Sequence, residues 1–385
     1  MKYPRLMVLL FITLLLLLLP AGALGSVRVD ADLPGVAIFL DGDYIGSTPQ
    51  NLSDVQPGEH QIAATVTGHQ AQSRNLTFPV NGSDQILFTF GSSSQKYVPG
   101  MIRIRDCVGT PEMTGLLGSS ITVATLPDGN LMAYYSGMGE GVRCAGSSDG
   151  SEWHEFPDGC LLPADEGSIS SPFSSPWVFT TSDGGYRMIY GINDENGPSL
   201  YSARSKDGVR FTSEGKVTLS QVPDQDMKGQ FSIPSGLRMT DGKLRMYYAV
   251  SDGAIRSAVS DDDGKTWASD EGNRIESATD PTVALLENTT YGLFYVDLSA
   301  GAKGQRLMLA TSSDGLDFSH MVKEPILESE QKGVWILDPE VHKSSSGGWN
   351  LYYSLMGVPG EAGIRVPVIM RSVIDPGCLL SGISG

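Results

Sequence analysis

Acidic residues are common along this chain, but three of them, Asp280, Asp338 and Glu340, fall at positions that repeat. Each Asp stands eight residues before a turn-forming pair, Asn288-Thr289 after Asp280 and Ser346-Gly347 after Asp338. Counting back the same eight residues from Asp128-Gly129, Asp183-Gly184 and Asp241-Gly242 reaches Ser120, Ser175 and Ile233. In four of the five places a proline follows directly: Pro176, Pro234, Pro281 and Pro339. Carboxyl groups brought together can divide acid–base chemistry, one kept protonated to donate while the other, ionised, accepts a proton or attacks carbon. Glu340 lies two residues past Asp338, on the same face of a strand. Asp280, Asp338 and Glu340 are therefore the candidate catalytic set. Ser120 and Ser175, with Trp177 two residues further on, are candidate substrate-binding residues, the indole offering an aromatic face to an apolar ligand surface.

The elements that must position these residues also repeat. After each turn comes an aromatic-rich strand: Leu131 to Tyr135, Tyr186 to Tyr190, Leu244 to Tyr248, Tyr291 to Tyr295 and Trp349 to Tyr353. Consecutive strand residues point to opposite faces, so one Tyr of each pair at 134/135, 247/248 and 352/353 belongs to the core. A third strand then leads to a second turn, clearest at Ser260-Asp261-Asp262-Asp263-Gly264-Lys265-Thr266-Trp267. Copies lie at Ser147 to Trp153, Ser205 to Phe211 and Ser312 to Phe318, with a weaker one at Ile374-Asp375-Pro376-Gly377. From Asp149 to Asp207, Asp262 and Asp314 the steps are 58, 55 and 52 residues. In such a turn an Asp or Ser oxygen bonds nearby backbone N–H groups, Gly adopts the left-handed conformation and an aromatic starts the next strand. Four strands per unit and five units predict an all-β chain with a five-bladed β-propeller over residues 101–385. The last unit is short, so Met101 to Arg105 is expected to supply its outer strand, which would bring Cys107 and Cys378 near the seam.

The 385-residue chain has 40% apolar residues, 46 Gly and 22 Pro, the Gly and Pro falling between short apolar runs as suits many strands joined by turns. Residues 1–25 read as a secretion signal: Lys2 and Arg5, an apolar run from Met7 to Leu19, then Pro20 and small residues. That run is short for an uncleaved membrane anchor, the alternative reading. Residues 26–91 show four short strands bounded by Gly, Pro or Asn and predict a small antiparallel β-sandwich, and 92–100 form a polar linker. The net charge of −17, or −19 without Lys2 and Arg5, argues against nucleic acid or an anionic membrane as partner. Four cysteines, Cys107, Cys144, Cys160 and Cys378, permit disulfides in an exported chain, with Cys107–Cys378 and Cys144–Cys160 both conceivable and buried thiols the alternative. Asn51, Asn75, Asn81 and Asn288 fit the N-glycosylation pattern. The sequence implies no cofactor; a Ca²⁺ ion in the funnel is compatible with it but not indicated.

Two resemblances follow from these residues. Pro34-Gly35-Val36, Leu40 to Pro49, Pro57-Gly58-Glu59-His60 and Gly68-His69 resemble the PEGA domain, a module of prokaryotic surface and envelope proteins, which implies export and cell-envelope partners. From about residue 97 onward, the Asp-Pro-x-Val pattern, the eight-residue step, the Tyr-Tyr strand and the Ser-x-Asp-Gly turn resemble five-bladed propeller glycosidases of the arabinanase/xylosidase and invertase/fructosidase group. That group places a base or nucleophile Asp, a second Asp and an acid Glu on the axial ends of three blades. Here the acids fall in adjacent units four and five, while Ser120, Ser175 and Ile233 occupy the other three places. The resemblance implies a carbohydrate ligand, held by a binding propeller or, alternatively, cleaved by a glycoside hydrolase. Residues 260–267 also resemble the Asp-box of sialidases, a further alternative.

Overall fold

A computed structural model describes residues 26–33, 36–41, 43–53, 55–65, 72–78, 83–90, 102–137, 141–156, 159–162, 175–194, 197–220, 232–287, 290–299, 305–330, 334–344, 347–356 and 367–381. The expected signal and linker, with Asn81 and Asn288, lie outside these residues. In the first unit, Ser26–Ala31 is flanked by Gln50–Leu52 and, in parallel, by Ser83–Phe88. A second sheet orders Asp43–Ser47, Ala37–Leu40, Gly58–Thr65 and Gln72–Phe78. Alternation drives the packing: Val27 and Val29 point inward and meet Ile38, Ile62, Ala64, Phe78 and Phe88, while Arg28 faces water. Asn51 and Asn75 are exposed on their strands. Ala37, Phe39 and Ala63, on the other face of the second sheet, share a buried apolar cluster with Phe294, Leu309, Leu351 and Tyr353 from farther along the chain.

The remaining strands form five sheets, the blades of the propeller, antiparallel except for a short parallel strand on the outer edge of blades two and three. Their first strands are Ser119–Thr125, Trp177–Thr180, Ser232–Arg238, Ala278–Glu287 and Trp335–Lys343, and each packs against the first strands of its neighbours, so the ring is closed. The second strands, such as Leu131–Ser136 and Leu244–Ala249, are buried nearly throughout because each blade is covered on both faces by the next. Tyr134, Tyr135, Tyr247, Tyr248, Tyr352 and Tyr353 are all fully buried, so both members of each pair are core, one on each face.

The seam differs from the expectation drawn from sequence. Blade five takes its fourth strand from Glu112–Leu117, which pairs with Val368–Ile374, and Ile102–Ile104 instead extends the outer edge of blade four beside Leu327–Ser329. The seven-residue third strand is matched by a six-residue partner that buries Leu116 and Leu117, while the three-residue segment pairs Arg103 with Glu328 at the surface. Cys107 and Cys378 are joined, with Cα atoms 5.5 Å apart. Cys144 and Cys160 are buried thiols.

The recurring Ser-Asp-Gly turns fasten one blade to the next. In the fullest copy Ser260 Oγ accepts from Gly264 N (2.8 Å), Asp262 Oδ1 accepts from the backbone of Lys265 (3.1 Å) and Thr266 (3.0 Å), and Trp267 Nε1 donates to Gly264 O (3.0 Å). The glycine carbonyl of the other copies receives a tyrosine hydroxyl from the blade before: Tyr134 to Gly208, Tyr247 to Gly315 (2.8 Å) and Tyr352 to Gly150 (3.0 Å). A Cβ on Gly315 would lie 2.8 Å from the Tyr247 hydroxyl, and its φ of +74° already disfavours any side chain. Between blades two and three the buried Arg187 guanidinium donates to Asp263 O, and Arg238 pairs with the Asp263 carboxylate at 2.7 Å. Gly150 O also accepts from Trp153 Nε1 at 3.1 Å, whereas removing the Tyr247 hydroxyl takes the side-chain donor from the buried Gly315 O. Tyr247→Phe should therefore lower the unfolding free energy by about 1–3 kcal/mol with an unchanged circular dichroism spectrum. Urea titration of both proteins measures the difference.

Candidate functional site

The first strands run alongside the propeller axis, and the eight-residue register puts one residue of each at the same height. At that height Ser120, Ser175, Asp280 and Asp338 have φ values of +56°, +33°, +49° and +50°, a region that non-glycine residues occupy only under constraint. A shift in strand pairing accompanies three of them, between Ser119 and Thr122, Thr279 and Thr282, and Leu337 and Glu340, and blade three has one at the same level between Ser232 and Ser235. The bulge turns the residue's N–H out of its own ladder, and side chains of the preceding blade receive it. Asp280 Oδ2 lies 3.4 Å from Asp338 N, Asp338 Oδ2 accepts from Ser120 N at 3.1 Å, and Ser136 Oγ accepts from Ser175 N at 2.9 Å. Ser354 Oγ also accepts from Ser120 N at 3.2 Å. Asp280 Oδ1 is bonded by Thr279 Oγ1 at 2.9 Å.

Two residues along each strand lies a second belt. Glu340 reaches both neighbouring blades: its Oε1 accepts from Thr122 Oγ1 and Val123 N, both at 3.2 Å, and its Oε2 from Thr282 Oγ1 at 3.0 Å. Thr282 Oγ1 meets Ser235 Oγ at 3.2 Å, so one network joins blades three, four, five and one. Blade two contributes Trp177, which is only 3% exposed, with ring centroids 4.5 Å from Phe179 and 5.9 Å from Trp267 of blade three. The cavity lined by Glu340, Thr122, Ser235 and Trp177, by Ser120, Asp280 and Asp338 and by the four prolines has a volume of about 10 Å³, room for about one water molecule.

The electrostatics follow from this enclosure. Burial pushes the Asp338 carboxyl well above the usual range and the charge of Asp280 adds to it, against hydrogen bonds from Ser354 and Ser120. Burial likewise raises Glu340 to about 7, against its bonds from Val123, Thr282 and Thr122. Carboxyl groups pushed apart in pKa can serve as acid and base. Here each is also an acceptor that a neighbouring blade needs.

The structure thus brings together all the expected residues, Asp280, Asp338, Glu340, Ser120, Ser175 and Trp177, around one axis. Two acids that precede the first strands of blades four and five stand apart from the axis: Glu276 bonds Asn273 at the surface and Glu328 pairs with Arg103 on the outer edge of blade four. Ser136 and Ser354 were not anticipated, although both end a Tyr-Tyr-Ser run on a second strand. Trp335 was also missed. It begins the first strand of blade five, three residues before Asp338, and is 45% exposed at the end of the ring where the left-handed residues lie.

Fold and axial register together define a five-bladed β-propeller preceded by a small β-sandwich. Residues 24–83 match the PEGA domain family. Among solved structures the chain is similar to a thermostable family-43 glycoside hydrolase, with TM-score 0.54 and 17% identity over 71% of this chain and 94% of that one. It is similar as well to the endo-arabinase from Bacteroides thetaiotaomicron VPI-5482, with TM-score 0.52 and 13% identity over 70% and 98% of the two chains. A glycosyl hydrolase from Bacteroides ovatus gives TM-score 0.51 and 18% identity over 69% and 86%. At these identities the likeness is one of fold. No curated protein matches the sequence.

A carboxyl group whose folded pKa exceeds its unfolded value favours the native state while protonated. The stability from Glu340 is complete below about pH 4.5, and up to about 3 kcal/mol of it is lost as pH rises through 7. Asp338 acts in the same sense. The turn aspartates Asp149 and Asp314, held down to about 2 by the backbone N–H groups of Ser151 and Asp317, act oppositely and only at lower pH. Glu340→Gln should therefore flatten the fall in stability between pH 4.5 and 7, as measured by thermal melts across that interval.

Proposed function

We propose that this is an exported, cell-surface carbohydrate-binding protein, in which the propeller keeps a glycosidase-like frame and uses its axial carboxylates to hold the ring closed. The observation that carries the reading is the placement of those carboxylates. Asp280 and Asp338 face the backbone N–H of the following blade, Glu340 is bonded to both neighbours, and the space between them accommodates about one water. A sugar ring is far larger than that space. A ligand therefore has to lie above the axial residues, at the ring end where Trp335 is exposed, and an indole suits the apolar face of a sugar. The glycosidase fold of the neighbours and the PEGA match support a glycan ligand and a place at the cell envelope, and the Cys107–Cys378 bond supports an oxidising compartment.

One observation favours a second reading, an active glycoside hydrolase: the raised carboxyl of Asp338 beside Asp280 has the character of a general acid with its partner. Calorimetric titration with arabino-oligosaccharides and other plant-wall and envelope glycans, run beside an aryl-glycoside turnover assay, separates the two. Binding without turnover is expected, with Trp335→Ala weakening affinity at least tenfold, about 1.4 kcal/mol. Turnover that disappears in Asp338→Asn while the fold is retained would establish the hydrolase instead.

A further inference from the structure

Away from the axis, Cys144 and Cys160 form a pair that neither the ring closure nor the axial belt uses. Cys144 lies in the third strand of blade one, Val142–Ser147, and is completely buried. Cys160, 1% exposed, immediately precedes Leu161–Leu162, the segment that pairs in parallel with the outer strand of blade two. Backbone bonds hold the intervening chain across that strand: Phe156 N donates to Cys144 O at 2.9 Å and Gly159 N to Phe156 O at 3.0 Å, while Phe211 N of blade two donates to Cys160 O at 2.8 Å. The two thiols lie side by side in one apolar cluster with Tyr134, Met188 and Phe211, and the Cys144 thiol pushes its Cys160 neighbour up. The chain already carries a disulfide at its seam, which points to an environment that oxidises paired thiols.

We propose that Cys144 and Cys160 form a second disulfide, tying blade one to the segment that crosses to blade two. Two thiols give up two protons and two electrons and one S–S bond forms. The electrons pass by thiol–disulfide exchange to an oxidised dithiol oxidoreductase, which leaves as its dithiol. The adjoining Cys144 thiol and burial keep the Cys160 thiol protonated and hence unreactive once folded, so the bond forms before blade two closes over the pair. The result is a covalent tie on each side of the start of the ring, one at the seam and one between blades one and two. This inference is independent of what the funnel binds.

The test is a thiol map of the full chain exported through an oxidising compartment. The protein is unfolded in guanidinium with excess N-ethylmaleimide and no reductant, then digested and examined by mass spectrometry. The expected result is no alkylated cysteine and a linked peptide pair containing Cys144 and Cys160, two hydrogens lighter than the sum of its reduced parts. Cys144→Ala, read the same way, should raise the count of alkylated thiols from zero to one, at Cys160. Alkylation of both Cys144 and Cys160 in the unmutated protein would overturn the proposal, as would linkage of either to Cys107 or Cys378.

Discussion

Five separate sheets make a ring only if each inner strand is held to the next, and inner strands of neighbouring blades share no backbone ladder. Here the junction is made by side chains. A bulged residue near the start of the first strand turns its N–H outward, and Asp280, Asp338 with Ser354, and Ser136 receive it from the blade before. The left-handed backbone at four equivalent positions is the strain this arrangement carries. One level down, Glu340 binds three donors from two blades. The carboxylates are thereby engaged in holding the scaffold together.

The rim shows the same logic with other groups. Tyrosine hydroxyls meet glycine carbonyls at three junctions, and an arginine meets Asp263 O at a fourth. The fifth, between blades four and five, has Phe294 in the tyrosine position and no Ser-Asp-Gly turn opposite it. The short helix Pro376–Leu380 takes the turn's place, capped by Asp375 and joined through Cys378 to Cys107, and its Leu379 shares the buried cluster of Phe294. Apolar packing and a covalent bond replace the missing hydrogen bond at the junction where the chain ends meet.

Much of this was legible because it is periodic. The Asp-Gly turns fix a register, and that register singles out Ser120, Ser175, Asp280 and Asp338 without reference to coordinates. The engagement of the carboxylates was not legible, since Asp338 and the Ser120 N–H it holds lie 218 residues apart and neither signals the other. The seam strand was misassigned for a related reason: Ile102–Ile104 and Glu112–Leu117 are both apolar and short, and only the length of Val368–Ile374 and the position of Cys378 select between them. Trp335 escaped notice because it precedes the strand that the register describes, and exposure has no sequence signature.

The short outer strands have a further consequence. Leu161–Leu162 lies on the outer edge of blade two, Thr218–Ser220 on that of blade three and Ile102–Ile104 on that of blade four. The first two are connectors that have just left one blade and pair with the next. Each covers a row of backbone groups that another protein molecule could otherwise extend. A propeller exposes one such row per blade around its circumference. By using its own connectors as borders, this chain leaves fewer places where copies could zip together edge to edge.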